Sequence, residues 1–271
     1  MPAVEIEKLT AQIHLLAQKF GTPRDFIGSL RNLFESYADL TYRINTMRRP
    51  SVVLPEYHLS PVILRLLEKE LGKYCEENPL ASLDVIDLLW IEPRREPRVL
   101  ASALLGKIPL SHSDQVTQRL LNWTATTEEY SLAETIVSNG SIKMRALAPD
   151  QWLEIIRNWL DSRNSVENAL GLTGLIPLIQ DRGFVNLPQV FSLFTPYLKK
   201  VDPHQIALLQ TIVENLARRS PSETVFILKQ VLFDSRDANL FRLLRRCLPA
   251  LPEEQRISLR EALAKNQPSA L

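Results

Sequence analysis

The sequence is poor in the residues on which many folds and enzymes depend. It holds two cysteines, Cys75 and Cys247, far apart and without CxxC spacing. Neither a disulfide framework nor a thiolate metal site is indicated, and both thiols read as buried or idle. Only 8 of its 271 residues are glycine, and no GxxxxGK[ST] run occurs; "LGKIPLS" around Lys107 lacks the first glycine and the helix-opening Ser or Thr of a phosphate loop. The four histidines, His14, His58, His112 and His204, show no HExxH spacing. Each reads as a surface or capping residue, and no metal or other cofactor is expected. No GxSxG elbow is present either.

Long apolar runs are missing as well. "GLTGLIPLIQ" and "VFSLFTPYL" fall short of the roughly 18 to 20 residues of a spanning helix and are broken by proline. The N-terminus carries glutamates early and alternates polar with apolar residues, unlike the basic leader and apolar core of a signal peptide. A cytoplasmic, monomeric protein without a membrane partner is expected. Charge of one sign is scarce: the formal net charge is +1. That is weak for a dedicated nucleic-acid binder, but it is silent on whether cations gather on one face.

What is plentiful is proline, with 18 residues, and its placement is regular. Thr22-Pro23, Ser60-Pro61, Asn78-Pro79, Asp202-Pro203 and Ser220-Pro221 each put proline after a residue able to cap a helix. A capping side chain accepts from orphan N–H groups of the first turn, and proline at the first position gives up a donor that had no partner. Each pair therefore reads as a helix start. Ser220 and Glu223 have capping-box spacing, and Glu253 and Glu254 sit where a helix dipole favours acids. Between starts, apolar residues recur at three and four, as in Ile206, Leu209, Val213 and Leu216.

This reading predicts helices near 3–19, 23–38, 61–77, 80–91, 95–106, 112–122, 127–138, 141–147, 150–161, 164–180, 189–199, 203–218, 221–232, 236–247 and 252–264. Strand character is confined to Ser51 to Tyr57, which Pro55 demotes to a short extended segment. Short connections and no strand class indicate an all-α fold of antiparallel helix pairs, an α-solenoid of HEAT-like pairs or a compact bundle. The expected organisation is an N-terminal helical pair over 1–50 and a solenoid over 51–271, continuous with it. Arg43 to His58 is the candidate boundary.

Carboxylate pairs such as Glu76-Glu77 and Glu128-Glu129 have a simpler reading than acid–base chemistry, because Thr126 or Thr127 before the second pair marks a helix start. Arginine clusters at Arg48-Arg49, Arg94-Arg95-Arg98, Arg218-Arg219 and Arg242-Arg245-Arg246. Successive helix ends of a solenoid line one edge, so these clusters could form a phosphate track. Equally, they could be solvated faces and dipole partners.

The stretch "LLWIEPRREPRVLASALL" resembles a helix pair of the bacterial DNA alkylation-repair proteins built from HEAT-like repeats, with Leu89, Trp90, Arg95, Glu96, Ala101 and Ala103 as the matching residues. "NLARRSPSETV", Asn215 to Val225, resembles the family's late helix end. The resemblance covers Ser60 to Ala264. It implies a C-shaped solenoid that grips duplex DNA, alkylated or not, in its concave face. It also implies excision of cationic N3- or N7-alkylated purines, with aromatics on the cation, a carboxylate beside the glycosidic bond and an arginine on the backbone.

Carried onto this chain, the family's Trp and Asp roles fall on Tyr130 and Glu134 of "YSLAETI", each a replacement of like chemical type. The backbone arginine falls near Asn168 and the second aromatic near Thr211, and neither replacement can do that job. Arg94, Arg98, Arg218, Arg219, Arg245 and Arg246 are the candidate phosphate ligands. The resemblance puts no chemistry on "WIEPRREPR"; there Trp90 reads as core, and Arg95-Glu96 as a tie between helix pairs. Three functions stay open: a DNA-binding protein of this superfamily whose excision site is altered, a working alkylpurine glycosylase using Glu134, and a helical scaffold for a protein partner.

Overall fold

A computed structural model describes residues 5–39, 54–235 and 237–266. Fifteen α-helices and no strand occur among them, so the fold is all-α and built of helix pairs. No helix there is long and apolar enough to cross a membrane. The chain divides into two compact units, 1–148 and 149–271. The expected boundary segment falls largely on 40–53, which with Arg48 and Arg49 lies outside the described residues.

The first unit holds α1 (Ile6–Ala17), α2 (Pro23–Tyr37), α3 (Pro61–Glu77), α4 (Pro79–Trp90), α5 (Arg95–Leu105), α6 (Ser113–Thr126), α7 (Tyr130–Gly140) and the short α8 (Ile142–Leu147). One layer runs α1, α3, α5, α7, each packed on the next, and α2 packs on α4 in a second layer. α5 and α7 approach closely because Gly106, just after α5, has no side chain. A Cβ there would stand 2.1 Å from the Asn139 carbonyl oxygen on α7.

The second unit holds α9 (Pro149–Leu160), α10 (Ser165–Gln180), α11 (Leu187–Lys199), α12 (Ile206–Arg219), α13 (Pro221–Asp234), α14 (Ala238–Cys247) and α15 (Glu253–Lys265). α10, α12 and α14 form one layer, and α11, α13 and α15 the other. The fully buried Trp152 of α9 donates its indole N–H to the Gly174 carbonyl of α10 at 3.1 Å. Gly174 makes this possible, since a Cβ would lie 3.1 Å from the Trp152 ring.

Helix starts follow the prolines: α2, α3, α4 and α13 each begin on one. The capping mechanism does not. Of the five expected caps only Asp202 accepts a first-turn amide, from His204. The Thr22 hydroxyl donates back to the Lys19 carbonyl, and Ser220 donates to the Glu223 carboxylate instead of capping an amide. Proline's fixed φ accounts for these starts without a side-chain cap.

Two further expectations are corrected. α7 begins at Tyr130 and not at 127, because the Thr127 hydroxyl donates backwards to the Trp123 carbonyl at 2.7 Å, closing α6. Glu129 is left extended, with ψ 105°. Trp90 is not fully buried: it stacks on Trp123 with ring centroids 4.3 Å apart and 8° between planes, while Arg98 covers it at 5.1 Å. Cys75 and Cys247 are buried and free, and burial pushes each thiol up to about 12.

Candidate functional site

The "RREPR" segment is a junction in which every charged group has work inside the fold. At the start of α5 the buried Glu96 accepts the backbone N–H of Tyr57 at 2.7 Å and, at 3.5 Å, that of Leu59. Arg94 donates to the Glu56 carbonyl at 3.1 Å and lies over the Tyr57 ring at 4.3 Å. Arg98 donates to the Glu92 carbonyl at 3.1 Å. Glu96 and Arg94 thus hold the extended segment 54–59 against α5, while Arg98 braces the turn between α4 and α5. Arg95 reaches the other way, to the start of α7: its Nε donates to Glu129 at 2.9 Å and its terminal nitrogen to the Ser131 hydroxyl at 3.3 Å. Burial pushes the Glu129 carboxyl up, but the Ser131 hydroxyl and the Arg95 guanidinium outweigh it and hold the group below its ordinary value. Arg95 and Glu96 thus tie neighbouring elements together, as read from the sequence.

That clamp fixes where α7 starts, and therefore where its next two side chains stand. Tyr130 is the first helical residue and is 41% exposed. Glu134 lies one turn later on the same face, as residues four apart do. Leu132, Ala133, Ile136 and Val137 are buried and anchor the helix. Glu134 is partly buried and has no hydrogen-bond or ion-pair partner among the described residues. Burial therefore pushes its carboxyl above the ordinary value, with nothing opposing. A partly buried carboxyl without a cation thus stands one turn from an exposed aromatic.

In the second unit the candidate residues differ in what their side chains already do. The Asn168 amide donates to the carbonyls of Trp159, Leu160 and Ser162 at 3.0, 3.0 and 2.8 Å, closing the end of α9. Thr211 is exposed and its hydroxyl donates to Ala207 of its own helix. Arg219 donates to the carbonyls of Ile179, Asp181 and Phe184, each at 2.6 Å, and so wraps the end of α10. Arg218 is exposed and only loosely paired, 3.9 Å from Glu214. Arg245 and Arg246 are exposed on α14 without a partner among the described residues.

Among the described residues no cluster of three or more His, Cys, Asp or Glu side chains could hold a metal ion. Sequence reasoning named Arg95 but missed its partner Glu129, and it missed two bidentate ties, Arg31 to Glu92 and Arg119 to Asp87. These partners lie 32 to 61 residues apart, a separation at which no periodicity links them.

A profile of the family described as DNA alkylation repair enzyme matches residues 61–221, more than half of the chain. No curated protein matches the chain.

Proposed function

The chain belongs to the DNA alkylation repair enzyme family, and from that premise we propose that it binds duplex DNA along stacked HEAT-like helix pairs and meets a cationic N-alkylated purine with Tyr130 and Glu134. One observation carries this reading: Glu134 is a partly buried carboxyl with no cation of its own, one turn from an exposed aromatic. A positively charged base supplies the missing cation. An aromatic face attracts a cation by about 0.5 to 2 kcal/mol, more as water leaves. A carboxylate in a low-dielectric site adds to that, and it favours alkylated over ordinary purine because only the former is charged.

Asn168 and Thr211 argue for recognition in place of full excision. Where the resemblance calls for a backbone arginine and a second aromatic, this chain has an amide and a hydroxyl already bonded to main-chain carbonyls. Excision is the second reading, favoured by Glu134 itself, since a carboxylate beside the glycosidic bond stabilises the charge that develops on the sugar.

A methylated and an unmodified duplex of one sequence separate these readings, with binding followed by fluorescence anisotropy and free purine by chromatography. Preference for the methylated duplex, weakened in Glu134→Gln, supports recognition. Release of methylpurine, lost in Glu134→Gln, supports excision. Absence of binding to either duplex at low salt sinks both, since phosphate contacts are strongest there.

A further inference from the structure

We infer that α14 presents a phosphate-binding ridge for duplex DNA, built by Arg242, Arg245 and Arg246; this rests on the DNA reading above and names the surface that grips the backbone. Leu240, Phe241, Leu243, Leu244 and Cys247 are buried and pin one face of the helix, so the opposite face is fixed toward solvent. The three arginines occupy that face at spacings of three and four, all exposed. None has a hydrogen-bond or ion-pair partner among the described residues.

Arg24, Arg157, Arg163, Arg182 and Arg260 are also exposed without a partner among the described residues, but no other described helix carries three such arginines on one face. Arg31, Arg95 and Arg119 each hold a carboxylate, and the donors of Arg219 are filled by carbonyls. In a chain of net charge +1, three adjacent unpaired guanidinium groups concentrate a positive field on one helix. The helix dipole explains part of this, since Arg245 and Arg246 lie in the last turn. It does not explain Arg242, a turn earlier. On α12, which packs against α14, Glu214 accepts from the Gln210 amide at 2.8 Å and pairs with Arg218 at 3.9 Å, not with an arginine of the ridge.

A rise of about 1.5 Å per residue sets Arg242 and Arg246 about 6 Å apart along the axis. Phosphates recur about every 3.4 Å of axis along one strand, so flexible arms on this ridge reach two or three of them. α14 lies beyond residue 221, where the family match ends. A lipid surface is the poorer partner, because an interfacial helix must insert its apolar face and that face is buried here.

The test is a salt series of duplex binding, followed by anisotropy, for the wild-type chain and for the triple variants R242A/R245A/R246A and R242K/R245K/R246K. Each lost phosphate contact lowers the slope of log affinity against log salt by about 0.9, so the alanine triple is expected to be shallower by roughly 2 to 3. The lysine triple should keep the slope, since an ammonium serves a phosphate as a point charge. An alanine triple that binds with the wild-type slope overturns the ridge and leaves the DNA reading standing. A wild-type chain that fails to bind at low salt overturns both. Capture by phosphatidylserine vesicles that is lost in the alanine triple, with the DNA slope unchanged, overturns the assignment in favour of a lipid surface.

Discussion

Replacing Arg95 by alanine tests the junction on which the placement of α7 depends. The Arg95 and Glu129 side chains are 25% and 12% exposed. Breaking a largely buried pair costs about 3 to 5 kcal/mol; the partial exposure of Arg95 and the remaining Ser131 bond bring the expectation to about 2 to 4 kcal/mol. The pH dependence has a definite sign. The Glu129 carboxyl sits below its ordinary value in the fold, so its stabilisation is present above the unfolded pKa and is lost as pH falls through the folded one. In Arg95→Ala, burial acts with no cation against it. The deficit is therefore largest at neutral pH and narrows in acid, where Glu129 is protonated in both states. Urea unfolding followed by circular dichroism, at neutral and acidic pH, measures it. Adding Glu129→Gln should recover about 1 kcal/mol or more of the loss at neutral pH. A deficit independent of pH, together with an additive double-mutant cycle, would refute the pair as the tie between α5 and α7.

Two glycines should respond oppositely to alanine. At Gly106 the new Cβ meets the Asn139 carbonyl oxygen, so Gly106→Ala should lose about 1 to 3 kcal/mol or more by thermal or urea unfolding. At Gly28, exposed in the middle of α2 with nothing within 4 Å, Gly28→Ala should gain about 0.5 to 1 kcal/mol. Asn168→Ala leaves three carbonyls at the end of α9 without their donor and should cost about 1 to 3 kcal/mol in the same assay. Glu134→Gln should not destabilise the fold at neutral pH, because a carboxyl whose folded pKa is raised costs stability once ionised. For the same reason, preference for methylated DNA should fade on acidification with a midpoint above the ordinary glutamate value.

Helices were legible in the sequence because proline and three-four periodicity act locally. α2 and α3 start where Pro23 and Pro61 say, and the buried faces of α9 and α12 match their apolar spacing. Local signals failed where a tertiary contact overrode them. Thr127 looks like a cap for α7, yet its hydroxyl closes α6, and Glu129 is held out of α7 by Arg95. The candidate site was partly legible for a similar reason. Tyr130 and Glu134 fall one turn apart on any helix, so spacing alone places them on one face. That Glu134 lacks a cation, while neighbouring Glu129 has one, depends on which residues other helices bring, as does the commitment of Arg219 to the end of α10.

The central claim is that Glu134 reads positive charge on a purine, and competition between a methylated and an unmodified duplex of one sequence tests it most directly. The wild-type chain should prefer the methylated duplex, and Glu134→Gln should reduce that preference to what the Tyr130 ring supplies while leaving affinity for unmodified DNA and its salt slope unchanged. A wild-type chain without preference, or a preference that is undiminished in Glu134→Gln, would contradict the account.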